Sequence, residues 1–322
     1  MADTADLVEG EELRLRPEDS LAEAAFRVFR RQFTRLRYHE PGTRRGEDIE
    51  HLHDMRVAVR RLRAALRLFR EVLPPRETAR YAREFRWLGT ALGRVRDLDV
   101  YLRLLDSAAN QSDDVAVAFA EYRTVIQAQR DQAQTRLSRT LASTRYQRLL
   151  ASFERVLTEG PHLPADSSAA APVLLVGEEL LLPALRSFRR LGRRVDGDSS
   201  ETTLHRLRIR GKRLRYACEF LVDLYGEPAA ELARRVTALQ DLLGDHHDAA
   251  VGQQRLARYG AQLTRRLPQR PAVFLRFGDL MAWHSAHIAT AHRNFLKAWR
   301  EFDRPATYRP LCVRLRELTP RA

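Results

Sequence analysis

The 322-residue sequence has little cysteine, glycine or proline. Its two cysteines, Cys218 and Cys312, are too few for a disulfide framework or a four-thiolate zinc site, which favours a reducing compartment. The 15 glycines and 14 prolines are too few for a protein built of strands and tight turns. We therefore expect a mainly helical protein.

Long apolar runs are also lacking. No stretch approaches the roughly 18 to 20 uncharged apolar residues that a membrane span requires. The longest apolar patch, residues 169–185, is interrupted by Glu178 and Glu179. The N-terminal segment is polar and acidic, without the basic and apolar regions of a signal peptide. These absences predict a cytoplasmic protein that has no membrane partner.

Lysine is nearly absent, although the chain is strongly basic. It has 56 Lys and Arg against 42 Asp and Glu, a formal net charge of +14, and only Lys212 and Lys297 are lysines. A basic protein favours anionic partners, and the planar guanidinium of arginine binds two phosphate oxygens at once. Codon bias in a GC-rich genome explains an arginine excess equally well, so the positions of the arginines must decide.

Helical periodicity divides the chain into two sets of helices. The first set is predicted near residues 20–39, 50–73, 77–106, 114–141 and 145–157, and the second near 173–194, 202–225, 228–259 and 270–303. Residues 158–172 resemble a flexible linker. The predicted organisation is a flexible tail (1–16), a first bundle (17–157), the linker, a second bundle (173–304) and a C-terminal tail (305–322).

The two sets resemble copies of one unit. HDMRVAVRRLR at residues 53–63 aligns with HRLRIRGKRLR at 205–215, an offset of 152 residues. LGTALGRVRD at 88–97 aligns with LQDLLGDHHD at 239–248, an offset of 151 residues. Because two separate blocks keep nearly the same spacing, we predict an all-α fold of two pseudo-symmetric antiparallel four-helix bundles that arose by internal duplication.

A basic stripe follows one face of the second helix in each set. Helical spacing places His53, Arg56, Arg60, Arg63 and Arg67 on one face, and the second copy repeats the spacing with His205, Arg208, Lys212 and Arg215. The apolar residues of the same helices fall on the opposite face, which must contact the core.

Stacked like charges at this spacing repel one another by a few tenths of a kcal/mol per pair. The face from His53 to Arg67 carries no acidic residue, unlike an ordinary solvated face. The first helix of each set adds further arginines: Arg27, Arg30, Arg31 and Arg35, and Arg186, Arg189, Arg190 and Arg193. We therefore predict that these residues line a long basic groove or channel between the bundles.

Several neighbouring residues leave alternatives open. Arg61 and Arg213 lie off the stripe and are expected to pair with Asp97 and Asp248. His53 and His205 either donate to phosphate or cap a neighbouring helix. The adjacent pair His246 and His247 points about 100° apart on a helix, so we predict neither a metal site nor a cofactor there.

The two HxxRxxxRRLR-like segments, each followed by a G-x-x-x-D segment (residues 93–97 and 244–248), resemble the conserved histidine α-helical domain, or CHAD, family. This resemblance covers residues 16–304 and implies a two-bundle fold whose basic surface binds inorganic polyphosphate and localises to polyphosphate granules. By position, it implies an anion-binding set of His53, Arg56, Arg60, Arg63, His205, Arg208, Lys212 and Arg215. The ExExK motif of fused hydrolase domains is absent, so the sequence resembles a stand-alone member.

The predicted function is therefore non-catalytic binding of polyphosphate. An enzyme acting on polyphosphate or nucleotides is one alternative, which the lack of a P-loop and of a nucleophile-base pair disfavours. A nucleic-acid-binding protein is the other, since a basic protein holds nucleic acid by counterion release. Base-stacking surfaces interleave aromatic residues with basic ones, and the stripe at residues 53–67 has none. We expect nucleic acid to bind more weakly than polyphosphate.

Overall fold

The computed structural model describes residues 13–46, 48–109, 113–162, 167–266 and 271–318. Within these ranges the chain folds into helices and the segments that join them, and the one pairing of β type is an isolated bridge between Ser20 and Pro172. The prediction of an all-α fold is confirmed.

The helices of the first half begin and end at residues with clear local preferences. Ser20 and Glu23 form a reciprocal capping box at the start of α1, and Gly46 ends this helix in the left-handed region with a φ of 74°. Asp48 and Ser143 cap two later helices in the same half. The helices of the first half are α1 (Leu21–Arg45), α2 (Ile49–Leu68), α3 (Pro75–Ala109), α4 (Asp113–Leu141) and α5 (Thr144–Glu159).

The second half has a corresponding set of helices. They are α6 (Gly177–Gly192), α7 (Glu201–Phe220), the single turn α8 (Val222–Tyr225), α9 (Glu227–Arg266), α10 (Pro271–Phe302) and α11 (Pro305–Leu318). In the first half α1 packs on α2, α2 on α3 and α3 on α4, and in the second half α6 packs on α7, α7 on α9 and α9 on α10. This shared order is what a duplication predicts, and duplication itself stays a prediction of the repeat.

The predicted C-terminal tail over 305–322 is wrong for the residues that the structure describes. Residues 305–318 form α11, which packs on α6, α8 and α9 much as α5 packs on α1, α3 and α4. Leu311 and Leu315, one helical turn apart, are 1% and 0% exposed and provide the apolar stripe that holds α11 on the bundle. Within the described ranges, the first half thus has five helices and the second half five besides the single turn α8, where a four-helix bundle was predicted for each.

The predicted tail over 1–16 and the linker over 158–172 are also partly ordered. Leu15 is buried, and its backbone N–H donates to the carboxylate of Asp223 at 3.1 Å. Ala169 is fully buried in a short 3₁₀ turn, and the N–H of Leu21 donates to the carbonyl of Ala171 at 2.8 Å. These contacts fix both segments to the helices, while residues 1–12 and 163–166 lie outside the described ranges.

The two halves contact each other through several helices. Helix α2 packs against α7, and α4 contacts α10. Near the second contact, the Tyr122 hydroxyl lies 3.2 Å from that of Tyr101, which in turn lies 3.4 Å from the carbonyl of Gly252. Because α2 and α7 carry the two basic stripes, their packing determines where those stripes lie relative to each other.

Candidate anion-binding groove

The basic faces of α2 and α7 lie close together because the apolar faces of both helices pack in the core. Met55, Val59 and Leu62 are fully buried on α2, as are Leu207 and Leu214 on α7. The side chains on the other face of each helix interact across the junction. Five cations form this groove cluster: Arg56, Arg60, Arg208, Lys212 and Arg215.

The groove cluster brings cations from the two stripes close together. Arg60 lies close to Arg56 on its own helix and to Arg208 and Arg215 on the other. Lys212 lies close to Arg56 and Arg60 as well as to the two arginines of α7. The cluster is therefore built from both halves of the chain.

Two glycines let these arginines lie against the next helix of each half. A Cβ atom placed at Gly93 on α3 would lie 3.7 Å from Nε of Arg56. The corresponding Cβ at Gly244 on α9 would lie 3.8 Å from Nη2 of Arg208. Both are ordinary van der Waals distances, so each guanidinium lies against the helix at the glycine, where an alanine would fit but a longer side chain would meet the arginine. The glycine of each G-x-x-x-D segment thus supports a groove arginine.

The aspartates of these segments neutralise part of the charge. Asp97 lies 3.4 Å from Arg56, and Asp248 acts on Arg208. Burial raises the pKa of Asp248, while Arg208 opposes that rise. The predicted pairing of Asp97 and Asp248 with Arg61 and Arg213 is therefore wrong.

Arg61 and Arg213 fail to reach these aspartates because each follows a stripe residue by one position, and one position turns a helix by about 100°. Arg61 instead donates to Glu219 of α7, while Glu219 also pairs with Arg215 at 3.2 Å. Arg213 is exposed and faces Arg67 and Arg210. Arg213 thus adds positive charge beside the groove rather than a structural ion pair.

The centre of the groove cluster carries uncompensated charge. Among the described residues, no carboxylate lies within ion-pair distance of Arg60 or Lys212, and buried Nε atoms of Arg60 and Arg208 lack an acceptor. Burial, together with Arg208, Arg60, Arg56 and Arg215, lowers the pKa of Lys212 to about 6. Burial is also the main cause that lowers the pKa of Arg60. Such crowding is unfavourable without a counter-anion.

The basic surface extends beyond the groove cluster in both directions. On one side Arg63 lies near Arg67 and Arg86. On the other, Arg96 lies near Arg56 and Arg103, but it is only 8% exposed, and Glu50 and Asp99 offset part of its charge. Arg86 and Arg96 were not among the predicted residues, although Arg86, Gly89, Gly93 and Arg96 follow one another on α3 at intervals of three, four and three residues. That spacing places them on one face towards α2 and could have identified them.

The histidines that begin each stripe lie at the edge of this surface. Burial and the nearby Arg96 lower the pKa of His53, whose buried Nδ1 has no hydrogen-bond partner in the described structure. Burial and His247 lower the pKa of His205, whose ring centroid lies 5.1 Å from that of His247. Helix α2 is capped by Asp48 and α7 by Ser200, so neither histidine caps its own helix.

Within the described ranges, no three His, Cys, Asp or Glu side chains are arranged to hold a metal ion.

The arginines predicted on the first helix of each half have different surroundings. Arg27 pairs with Asp19 at 2.9 Å, and Arg31 with Asp223 at 3.1 Å. Arg30 donates to the carbonyl of Leu157 at 2.6 Å. The expectation that these side chains line the groove is wrong, because a neighbouring aspartate holds Arg27 and partners from distant segments hold Arg30 and Arg31.

In the second half, one carboxylate binds two of the predicted arginines. Asp303 accepts from Arg189 at 2.7 Å and from Arg193 at 2.6 Å. Arg186 and Arg190 are exposed on α6, which packs on α7 and α11, and neither side chain belongs to the groove cluster. The expectation of a groove lining is therefore not met in α6 either.

Arg31 and Arg35 border a separate cavity of about 570 Å³ between α1, α7 and α9. Its wall also contains Arg61 and Glu219, so one ion pair separates the cavity from Arg215 in the groove cluster. The cavity and the groove are thus distinct spaces on the two sides of the α2–α7 junction.

An aromatic ring lies under the groove cluster, but it is not exposed for stacking. The guanidinium carbon of Arg60 lies 5.8 Å from the ring centroid of Tyr216, and that of Arg215 lies 4.9 Å from it. Tyr216 is only 3% exposed. It therefore orients arginines through cation–π contacts and offers no surface to a nucleobase.

Comparison with known proteins gives concordant results. The model of the CHAD domain matches residues 27–257. Two uncharacterised proteins of Mycobacterium tuberculosis, from strains CDC 1551 and H37Rv, are each 28% identical over 219 residues, which is 66% of this chain and 41% of each relative. The matched region thus spans less than half the length of these relatives.

Two solved structures share the fold. The crystal structure of the CHAD domain from the plant Ricinus communis is 29% identical, with a TM-score of 0.70 over 89% of this chain and 95% of that one. PptA from Streptomyces chartreusis is 19% identical, with a TM-score of 0.67 over 88% of this chain and 100% of that one, a similarity of fold alone.

In the described part of the chain, every helix is too short or too polar to cross a membrane.

Proposed function

The chain belongs to the CHAD domain family, and from that premise we propose that it binds inorganic polyphosphate in the groove between α2 and α7. The observation that supports this most directly is the groove cluster, in which five cations from two halves of the chain converge with few acidic partners. A linear phosphate polyanion would supply the missing negative charge along the whole groove.

The extended basic surface favours a long ligand over a single phosphate group. Arg63, Arg67 and Arg86 continue the surface from one side of the cluster, and Arg103, which also lies 3.9 Å from Glu50, lies beyond the buried Arg96 on the other. A chain that reaches both flanks makes its second set of contacts at a high effective concentration. We therefore expect affinity to grow with chain length until the ligand spans both flanks.

The position of Tyr216 supports polyphosphate over nucleic acid. Single-stranded nucleic acids gain about 1–3 kcal/mol per base by stacking on exposed aromatic rings. The ring beneath Arg60 and Arg215 is buried, so the groove cluster supports contacts to phosphate without contacts to bases. Nucleic acid would then bind through its phosphates alone and more weakly.

We propose further that the protein is a binding module and not an enzyme, acting in the cytoplasm and at polyphosphate granules. The sequence has no P-loop, and the described side chains of the groove cluster are cations that do not include a nucleophile beside a base. Incubation with polyphosphate and magnesium should leave the chain length unchanged. Released phosphate or shortened chains would favour the enzymatic alternative.

The direct test is a titration of polyphosphates of defined length beside single-stranded DNA of matched charge, in one buffer at near-physiological salt. We expect tighter binding of polyphosphate, an affinity that rises with chain length, and a steep loss of affinity as salt is added. Equal affinities for both polymers at every salt concentration would instead favour a nonspecific polyanion-binding protein.

A further inference from the structure

Glu219 of α7 lies at the contact between α7 and α2. One of its carboxylate oxygens accepts a hydrogen bond from Arg61 of α2, and the other lies 3.2 Å from Nε of Arg215 on its own helix. Arg61 belongs to the first half of the chain, and Arg215 is a member of the groove cluster. A single carboxylate thus joins the two halves and contacts a cation of the groove.

The ring of Tyr216 lies next to the same arginines. The guanidinium carbon of Arg215 lies 4.9 Å from the ring centroid, and those of Arg60 and Arg61 lie 5.8 and 6.0 Å from it. Nη2 of Arg215 also donates to the Tyr216 hydroxyl at 3.2 Å. Tyr216 and Glu219 therefore hold Arg215 from two directions, and guanidiniums from both halves share one ring.

The repeat lacks this arrangement at the equivalent positions. An offset of 152 residues aligns Glu219 with Arg67 and Arg61 with Arg213. Those positions hold two arginines, which repel each other and cannot form an ion pair. The contact of Glu219 with Arg61 is therefore a difference between the two halves and not a general feature of the repeat.

Charge alone and geometry give opposite expectations for Glu219. An acidic side chain beside a polyanion site repels the ligand, so its loss should strengthen binding if charge alone matters. The side chains of Glu219, Arg61 and Arg215 are however only 24%, 21% and 15% exposed, and the carboxylate is occupied by the two arginines. Without it, Arg61 and Arg215 would repel each other beside the Tyr216 ring, and Arg215 would lose one of the contacts that fix it.

Resting on the proposed function, we propose that Glu219 is a positioning residue of the polyphosphate groove, which holds Arg215 at the ligand and keeps Arg61 away from it. Arg61 and Glu219 both line the separate cavity between α1, α7 and α9, on the other side of the junction. Glu219 acts through Arg215 and does not contact the ligand. Removing its charge should weaken binding, although the protein becomes more positive.

The experiment is a titration of Glu219→Gln beside the parent, with a polyphosphate of defined length at near-physiological salt. We expect the affinity to fall about two- to tenfold, the range for the loss of one net hydrogen bond. Glu231→Gln is the matched control, because Glu231 pairs with Arg234 at 2.8 Å and with Arg235 at 2.6 Å on α9, outside the groove cluster. It changes the net charge by the same amount and should bind at least as tightly as the parent.

A double-mutant cycle separates positioning from a general effect on the fold. If Glu219 acts through Arg215, Glu219→Gln should cause no further loss of affinity in a protein that already carries Arg215→Ala. Glu219→Asp keeps the net charge but is shorter by one methylene group and cannot keep both contacts, so it should also bind more weakly. This variant replaces Glu219→Gln in the cycle if circular dichroism shows that Glu219→Gln does not fold.

Each outcome has a distinct meaning. An affinity of folded Glu219→Gln that equals or exceeds the parent's would overturn the positioning role and leave the proposed function intact. An equal loss in Glu231→Gln, or a loss that persists in the presence of Arg215→Ala, would overturn it as well. Absence of polyphosphate binding by the parent would remove the proposed function and this inference with it.

Discussion

The arginines of α2 and α7 and those of α1 and α6 have the same type of helical spacing but opposite surroundings. In the first pair of helices, Arg60 and Lys212 lie among other cations without an ion pair in the described structure. In the second pair, Arg31 and Arg189 are held by carboxylates at 3.1 and 2.7 Å. A run of basic residues on a helix face therefore indicates a ligand site where its central residues, like Arg60 and Lys212, have no carboxylate from another segment within ion-pair distance.

The acidic partners of Arg31 on α1 and Arg189 on α6 come from far along the chain. Asp223 is 192 residues from Arg31, and Asp303 is 114 residues from Arg189. Both aspartates lie next to the ends of other helices, where a change of chain direction brings them onto the first helix of a half. The sequence of a stripe shows whether acidic residues lie within it. It does not show whether an aspartate from a distant segment pairs with its arginines.

The largest expected effect comes from reversing charge in the groove. Arg56→Glu, Arg60→Glu and Arg63→Glu together should nearly abolish polyphosphate binding, because the variant replaces attraction by repulsion along one wall. The three side chains lie on the face of α2 opposite its core residues, so the fold should persist. Circular dichroism and a titration of variant beside parent provide the measurement.

A second triple variant serves as the control for net charge. Arg186, Arg190 and Arg300 are exposed outside the groove cluster, and changing all three to Glu alters the net charge by the same amount. This variant should keep most of its affinity at near-physiological salt, since exposed charges more than a Debye length away are largely screened. An equal loss in both triple variants would mean that overall charge, and not the groove, determines binding.

Single substitutions should separate binding from stability at a smaller scale. Arg60→Ala should weaken polyphosphate binding by about 1–3 kcal/mol with little change in stability, since it removes one charge-assisted contact. Arg189→Ala should leave binding unchanged and lower the free energy of unfolding by about 1–2 kcal/mol, because Arg189 pairs with Asp303 and stacks 3.7 Å from the Tyr308 centroid. Titration of both variants measures the loss of binding, and thermal unfolding measures the loss of stability. A binding defect in folded Arg189→Ala would contradict it.

Helix periodicity and the repeat were sufficient to predict most of the fold. The apolar faces of α2 and α7 were identified residue by residue, because a 3.6-residue period separates core from surface without further information. Helix α11 was missed, since Leu311 and Leu315 form only a short apolar stripe among arginines and follow Pro305. The described parts of the two segments that were expected to be flexible, near Leu15 and Ala171, are held to the helices by backbone hydrogen bonds. Sequence patterns do not show such bonds.

The groove was predictable in its two central helices and unpredictable at its borders. Arg56 and Arg208 could be identified by spacing, but their contact with Gly93 and Gly244 depends on how α3 and α9 pack. For the same reason Asp97 was assigned to Arg61 instead of Arg56. Partners across helices depend on packing angles, which the periodicity of a single helix does not contain.

The most direct test of the groove is a crystal structure of the protein with a bound polyphosphate of defined length. We expect phosphate oxygens within hydrogen-bond distance of Arg56, Arg60, Arg208 and Lys212, with the chain extending past Arg63 or Arg96. The ion pairs of Arg31 and Arg189 should remain as they are in the protein without ligand. A chain bound along α1 or α6, with the α2–α7 groove empty, would contradict the assignment.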